Sequence, residues 1–215
     1  MSLGYRIAGY EFSSTEVRDL LVAWLALGVA FAVFFAGGGP NIATLLFVPE
    51  LLVVSLLTAG VAFLLHEVAH KVVAVHYGQI AEFRADYSML FLAIMSALIG
   101  FIFAAPGAVH HQGYLNRSEH GRIALAGPAT NLLLAAVFLP VYLAGIGLGV
   151  DLLGTLGRFG IVINLFLAAF NLVPFGPLDG KTVKQWSTPV WLGSFLVSAG
   201  LTVGSLLTIG LSFQL

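Results

Sequence analysis

Apolar residues gather along the chain into six runs, at about 20–37, 51–70, 88–106, 122–147, 156–174 and 190–213, with short polar segments between them. Each run approaches the roughly 20 residues that a helix needs to span hydrocarbon. Backbone N–H and C=O groups find no partner in lipid, so every run is expected to be helical. Ahead of the first run, "SSTE" at 13–16 offers an N-cap, with Ser13 and Glu16 at capping-box spacing. The expected architecture is an all-α polytopic membrane protein, a compact bundle of five to six transmembrane helices. Residues 1–215 read as a single membrane-embedded domain.

The basic residues choose between five spans and six. With a cytoplasmic N-terminus, six crossings leave Arg6, Arg18, Lys71, Arg84 and Arg158 inside and Arg117, Arg122, Lys181 and Lys184 outside, which is hardly a bias. If 88–106 dips in and returns, only Arg158 remains outside. "FAAPGAVHHQGY" (103–114) carries the Pro and Gly that non-helical backbone lining a cavity would use. Five crossings plus a re-entrant or short β element is the preferred reading. A full sixth span is the alternative, because the run is long enough to cross.

Composition strengthens the membrane assignment. AVILMFWYC residues make up 59% of the chain, and only nine basic and ten acidic residues could keep it dispersed in water. A net charge of -1 offers no patch for a nucleic-acid backbone. With no cysteine, disulfides, thiolate chemistry and Cys-based metal sites are excluded. Glu11, Glu16 and Asp19 precede the first run where a signal peptide would be positive, so none is expected.

Chemistry enters with "FLLHEVAHKVVAVHYG" (63–78). On a helix His66 and His70 lie one turn apart and can offer two imidazoles to one Zn²⁺, with Glu67 beside them as general base for its bound water. Three ionisable groups in one turn of an apolar span cost several kcal/mol unless paired or bound, which makes the cluster a functional candidate. A catalytic zinc usually has three protein ligands, so one is missing. Asp179, in "NLVPFGPLDG" (171–180), is the best placed: Pro174 and Pro177 break the helix, Gly176 and Gly180 permit close approach, and no basic residue lies between Arg158 and Lys181. Capping of the next element is its bland alternative. The dipping topology returns Asp179 to the end of the bundle that holds His66 and His70, whereas a sixth crossing would strand it on the other side.

"HEVAH" with "AVHYG", then "GRIALAGPATN" (121–131), then "NLVPFGPLDG" resembles the site-2 protease family of intramembrane zinc metalloproteases, in the manner of a prokaryotic, archaeal-type member without a PDZ domain. The match covers about 50–185, the expected catalytic core. The resemblance implies a zinc-dependent endopeptidase that cuts within or near a transmembrane helix of a substrate protein, usually one already cut once. It carries zinc ligation to His66, His70 and Asp179, base function to Glu67 and polar stabilisation of the scissile peptide to Asn171. It also implies that the segment before "GRIALAGP" handles substrate. That segment is longer and more apolar here than the short family form, and one apolar run follows Asp179 where relatives often have two.

The remaining polar residues have plainer expectations. Asn164 is assigned to interhelical bonding, and Asn131 to packing beside Gly127 and Ala129, with orientation of a ligand as its alternative. Lys71 and His76 are expected at the membrane interface. His110 and His111 are left as residues of a water path or substrate loop. The site is expected toward the cytoplasmic side of the cell membrane, with the bilayer and a transmembrane protein as partners; the oligomeric state stays open. A zinc transporter or sensor, or a membrane zincin that cuts juxtamembrane loops, are the competing functions.

Overall fold

The structure, a computed structural model, describes residues 4–103 and 106–210. It opens on a hairpin of β1 (Gly4–Ile7) and β2 (Tyr10–Ser13), which leads into α1 (Ser14–Phe35). Helix α2 (Glu50–His76) is followed by β3 (Ile80–Ala85), a short helix α3 (Tyr87–Leu98) and β4 (Gly107–Gln112). Helices α4 (Arg117–Leu148), α5 (Asp151–Asn171), α6 (Asp179–Trp186) and α7 (Thr188–Thr208) complete it.

Among the described residues α1, α2, α4, α5 and α7 are long and apolar enough to cross a membrane, and the chain is a multi-pass helical bundle. The run at 88–106 does not span. Its helical part, α3, has 12 residues, about 18 Å against a hydrocarbon core of roughly 30 Å. Asp86 caps α3, accepting from the N–H groups of Ser88 and Met89. The flanking strands β3 and β4 pair antiparallel in a two-stranded sheet, with Phe83 opposite Val109. Residues 104 and 105 of the Pro-Gly segment, and 211–213 of the last apolar run, lie outside the described residues.

Small residues set the helix spacing, as expected where lipid gives no hydrophobic drive for association. A Cβ on Gly145 would lie 2.1 Å from the Gly154 nitrogen, and one on Gly157 2.3 Å from the Tyr142 nitrogen, so α4 and α5 meet backbone to backbone. Within α2, residues Leu56–Gly60 form a π-helical turn. Trp24 of α1 donates its indole N–H to the Leu56 carbonyl there at 3.0 Å, and Gly60 leaves room for the ring.

The expected N-cap is present but the box is not. Ser13 Oγ accepts from the Glu16 N–H at 3.1 Å, whereas the Glu16 side chain turns inward, accepts from the Phe83 N–H of β3 at 3.0 Å and pairs with Lys71 of α2. Lys71 is therefore buried within the fold and its tip does not extend to the surface of the bundle. Its ammonium is satisfied inside the fold instead, by Glu16 and the Glu11 carbonyl. His76, at the end of α2, is exposed.

Candidate metal centre

Helical spacing in the second half of α2 puts the His66 and His70 rings on one face, 4.6 Å apart and nearly perpendicular. Asp179 opens α6 after the Pro-Gly turn and approaches from the other side. Its Oδ2 lies 3.2 Å from His66 Nε2 and 3.4 Å from His70 Nε2. One ligand atom from each residue falls within 4.8 Å of the others, and no other such group of three occurs among the described residues.

Outer hydrogen bonds decide which nitrogens face inward. His66 Nδ1 meets Asn131 Oδ1 at 2.6 Å, and His70 Nδ1 meets the Ile123 carbonyl at 2.7 Å. The Asn131 amide is oriented by its own donations, from Nδ2 to the Ala62 carbonyl at 3.1 Å and to Asn164 Oδ1 at 2.9 Å. Asn164 in turn donates to the Gly160 carbonyl at 2.8 Å. Oxygen acceptors at both Nδ1 positions hold the proton there and leave each Nε2 lone pair free for a metal. Asn164 thus bonds between helices as expected. Of the two roles open to Asn131, its contact with His66 Nδ1 favours orientation, here of the His66 ring, over packing alone.

The inward groups are then two nitrogen lone pairs and a carboxylate oxygen. Asp179 Oδ2 is buried and accepts no hydrogen bond. Three convergent acceptors without a donor fit a divalent cation, and two imidazoles with one carboxylate match the three-ligand set of a catalytic zinc. Neighbouring glycines shape the cradle. A Cβ on Gly127 would sit 2.4 Å from His66 Nε2 and 2.5 Å from His70 Nε2; one on Gly180 would lie 2.0 Å from the Leu172 carbonyl oxygen. That carbonyl also accepts the Trp191 indole N–H at 2.8 Å, which ties the Asp179 turn to α7.

Glu67 is buried on α2 beside the two histidines. Asn171 ends α5, half-buried, and donates to the Leu167 carbonyl at 3.0 Å. His110 and His111 lie on β4 outside the ligand cluster. His110 is exposed, and the His111 ring stands 5.5 Å from that of His120.

The chain is 41% identical over 184 residues to a Methanocaldococcus jannaschii protein named as a zinc metalloprotease, MJ0611, covering 85% of this chain and 90% of that one. The chain belongs to this family of zinc metalloproteases. It is also similar to two other proteins so named. With YwhC of Bacillus subtilis it shares 30% identity over 149 residues, 62% of this chain and 68% of the relative. With Rip3 of Mycobacterium tuberculosis it shares 34% over 121 residues, 55% of this chain and 27% of the relative. No family model matches, and no solved structure matches. Membership of a zinc-metalloprotease family and the buried His-His-Asp group together make this a metal-dependent hydrolytic site.

Proposed function

We propose that the chain is an intramembrane endopeptidase that uses one Zn²⁺, held by His66, His70 and Asp179, to cut a peptide bond in or near a transmembrane helix of another protein, within a catalytic core at about 50–185. The depth of the site carries this reading. His66 and His70 lie ten and six residues before the end of α2 at His76, about 15 and 9 Å along the helix, so a peptide bond must come below the membrane surface to reach them. A transporter would distribute ligands across the depth of the bundle, whereas these gather at one level beside a carboxylate.

A zinc ion bound there supplies Lewis-acid polarisation of the peptide carbonyl and acidifies water. Glu67 takes the proton from the attacking water and passes it to the leaving amine. Asn171 stabilises the scissile peptide through the amide N–H not given to Leu167. The outer edge of β4 presents the substrate. Because the Phe83 N–H points away from β4 toward Glu16, the Phe83–Val109 pair is a non-hydrogen-bonded one, and Val109 directs its own backbone groups outward. An unwound substrate segment adding to that edge would lie alongside Glu67.

Five crossings put the starts of α1, α4 and α7 and the ends of α2 and α5 at one end of the bundle, with the metal ligands and every basic residue but Arg158. By the positive-inside rule that end is cytoplasmic. Single cysteines at the exposed Ile80 and Tyr114 should both label from the cytoplasmic side of intact membranes; labelling from opposite sides would break the five-span arrangement.

The purified chain in liposomes, given a single-span substrate, should cleave it only with zinc. Glu67→Gln should lower the rate by about 10²–10⁴-fold while zinc content stays the same. Zinc flux into sealed liposomes without cleavage, or faster cleavage of soluble peptides than of the spanning one, would overturn the proposal in favour of a transporter or a loop-cutting zincin.

A further inference from the structure

The buried Glu16–Lys71 pair lies outside the metal cluster, yet it connects the same two elements, the metal helix and the sheet. Glu16 is 0% and Lys71 2% exposed. Lys71 donates to Glu16 and to the Glu11 carbonyl, at 2.6 Å for the latter, and its ammonium lies 3.9 Å from the centre of the Phe12 ring. The other Glu16 oxygen accepts the Phe83 N–H. Three residues on, Asp19 accepts the Ala85 N–H at 3.3 Å and the Tyr87 hydroxyl at 2.7 Å. Two carboxylates one turn apart on α1 therefore occupy the outer edge of β3, where a third strand would otherwise bond.

The connections close a ring. Glu67 and Lys71 are one turn apart on α2. Val109 faces Phe83 across the sheet and shares with it an apolar cluster that includes Phe63 and Val68 of α2, Phe83 donates to Glu16, and Glu16 pairs with Lys71. The sheet is held at its β3 edge by a carboxylate that the metal helix itself holds, and its apolar face packs on that helix. A buried ion pair is a poor source of stability, because desolvation of the two charges offsets their attraction. Its value here is geometric.

We infer that Glu16 is a positioning residue: by accepting the Phe83 N–H while held by Lys71, it fixes the β3–β4 sheet at the height that brings the β4 edge beside Glu67. The consequence for cleavage rests on the proposed endopeptidase reading; the placement of the sheet does not. Glu16 would leave zinc binding untouched and act on how the peptide bond is presented.

Two charge-free double variants of the full chain isolate the effect. Glu16→Gln/Lys71→Met keeps an oxygen for the Phe83 N–H, whereas Glu16→Ala/Lys71→Met removes it, and neither leaves an unpaired buried charge. Spin labels on cysteines at the exposed His110 and Leu133 report the sheet against α4. The Gln/Met variant should keep the narrow distance distribution and the kcat/KM of the unsubstituted chain per zinc-loaded molecule. The Ala/Met variant should broaden the distribution and lower kcat/KM by about 10²-fold at unchanged zinc content. A narrow distribution in Ala/Met, or equal impairment of both variants, would overturn the inference. Distributions that separate as expected in a chain that cleaves nothing would sustain the positioning role and refute the endopeptidase reading instead.

Discussion

Two buried polar clusters sit on α2 within one turn of each other, and they differ in what is left over. Around Lys71 the charges close on themselves: the ammonium meets Glu16 and the Glu11 carbonyl, and both Glu16 oxygens have donors. Around His66 and His70 the outer nitrogens are satisfied, but the inward side holds two lone pairs and a carboxylate oxygen with no donor among them. A native core rarely leaves buried acceptors facing one another. The closed cluster therefore belongs to the architecture and the open one to a ligand, although composition alone would class both as buried charge in a membrane helix.

The sharpest way to separate the clusters is to take one partner from the closed one. Lys71→Met strands the Glu16 carboxylate and should cost about 3–5 kcal/mol of stability, measured by denaturation of the purified chain, while the zinc affinity of the molecules that remain folded is unchanged. Zinc lost in step with stability would mean that the clusters are one unit. A smaller effect is expected in the open cluster's outer support. Asn131→Leu removes the acceptor at His66 Nδ1 and should weaken zinc binding by about 10–100-fold, read by competition with a chelator. The smallest effect belongs to Glu16→Gln/Lys71→Met, which exchanges the pair for neutral groups of similar size and should be close to neutral in stability. A loss as large as that of Lys71→Met alone would show that the ion pair itself stabilises the fold.

The same contrast explains which features could be read from the sequence. Span lengths and the His-x-x-x-His spacing are local patterns, so the transmembrane bundle and the candidate ligands on α2 were legible before any coordinates. Asp179 was reachable because the Pro-Gly turn and chain direction limit where an acid after α5 can go. The count of five long helices was legible through the basic residues, since a sixth span would have split them five against four. The hydrogen-bond partners were not. Asn131 is 65 residues from His66 and Glu16 is 55 from Lys71. Nothing local distinguishes a membrane asparagine that packs from one that orients a ligand, or a lysine that leaves the hydrocarbon from one that finds a buried carboxylate. One local signal was present for Asn131: it stands one turn after Gly127, the residue whose missing side chain makes room for both His Nε2 atoms.

The most direct test of the metal centre is X-ray absorption at the zinc edge on the purified chain and on Asp179→Ala, together with zinc stoichiometry. The expected result is one zinc per chain with two imidazole nitrogens and a carboxylate oxygen at about 2.0–2.2 Å, and loss of the carboxylate signature with weaker binding in Asp179→Ala. An unchanged spectrum and affinity in that variant would contradict the assignment and place the third ligand elsewhere.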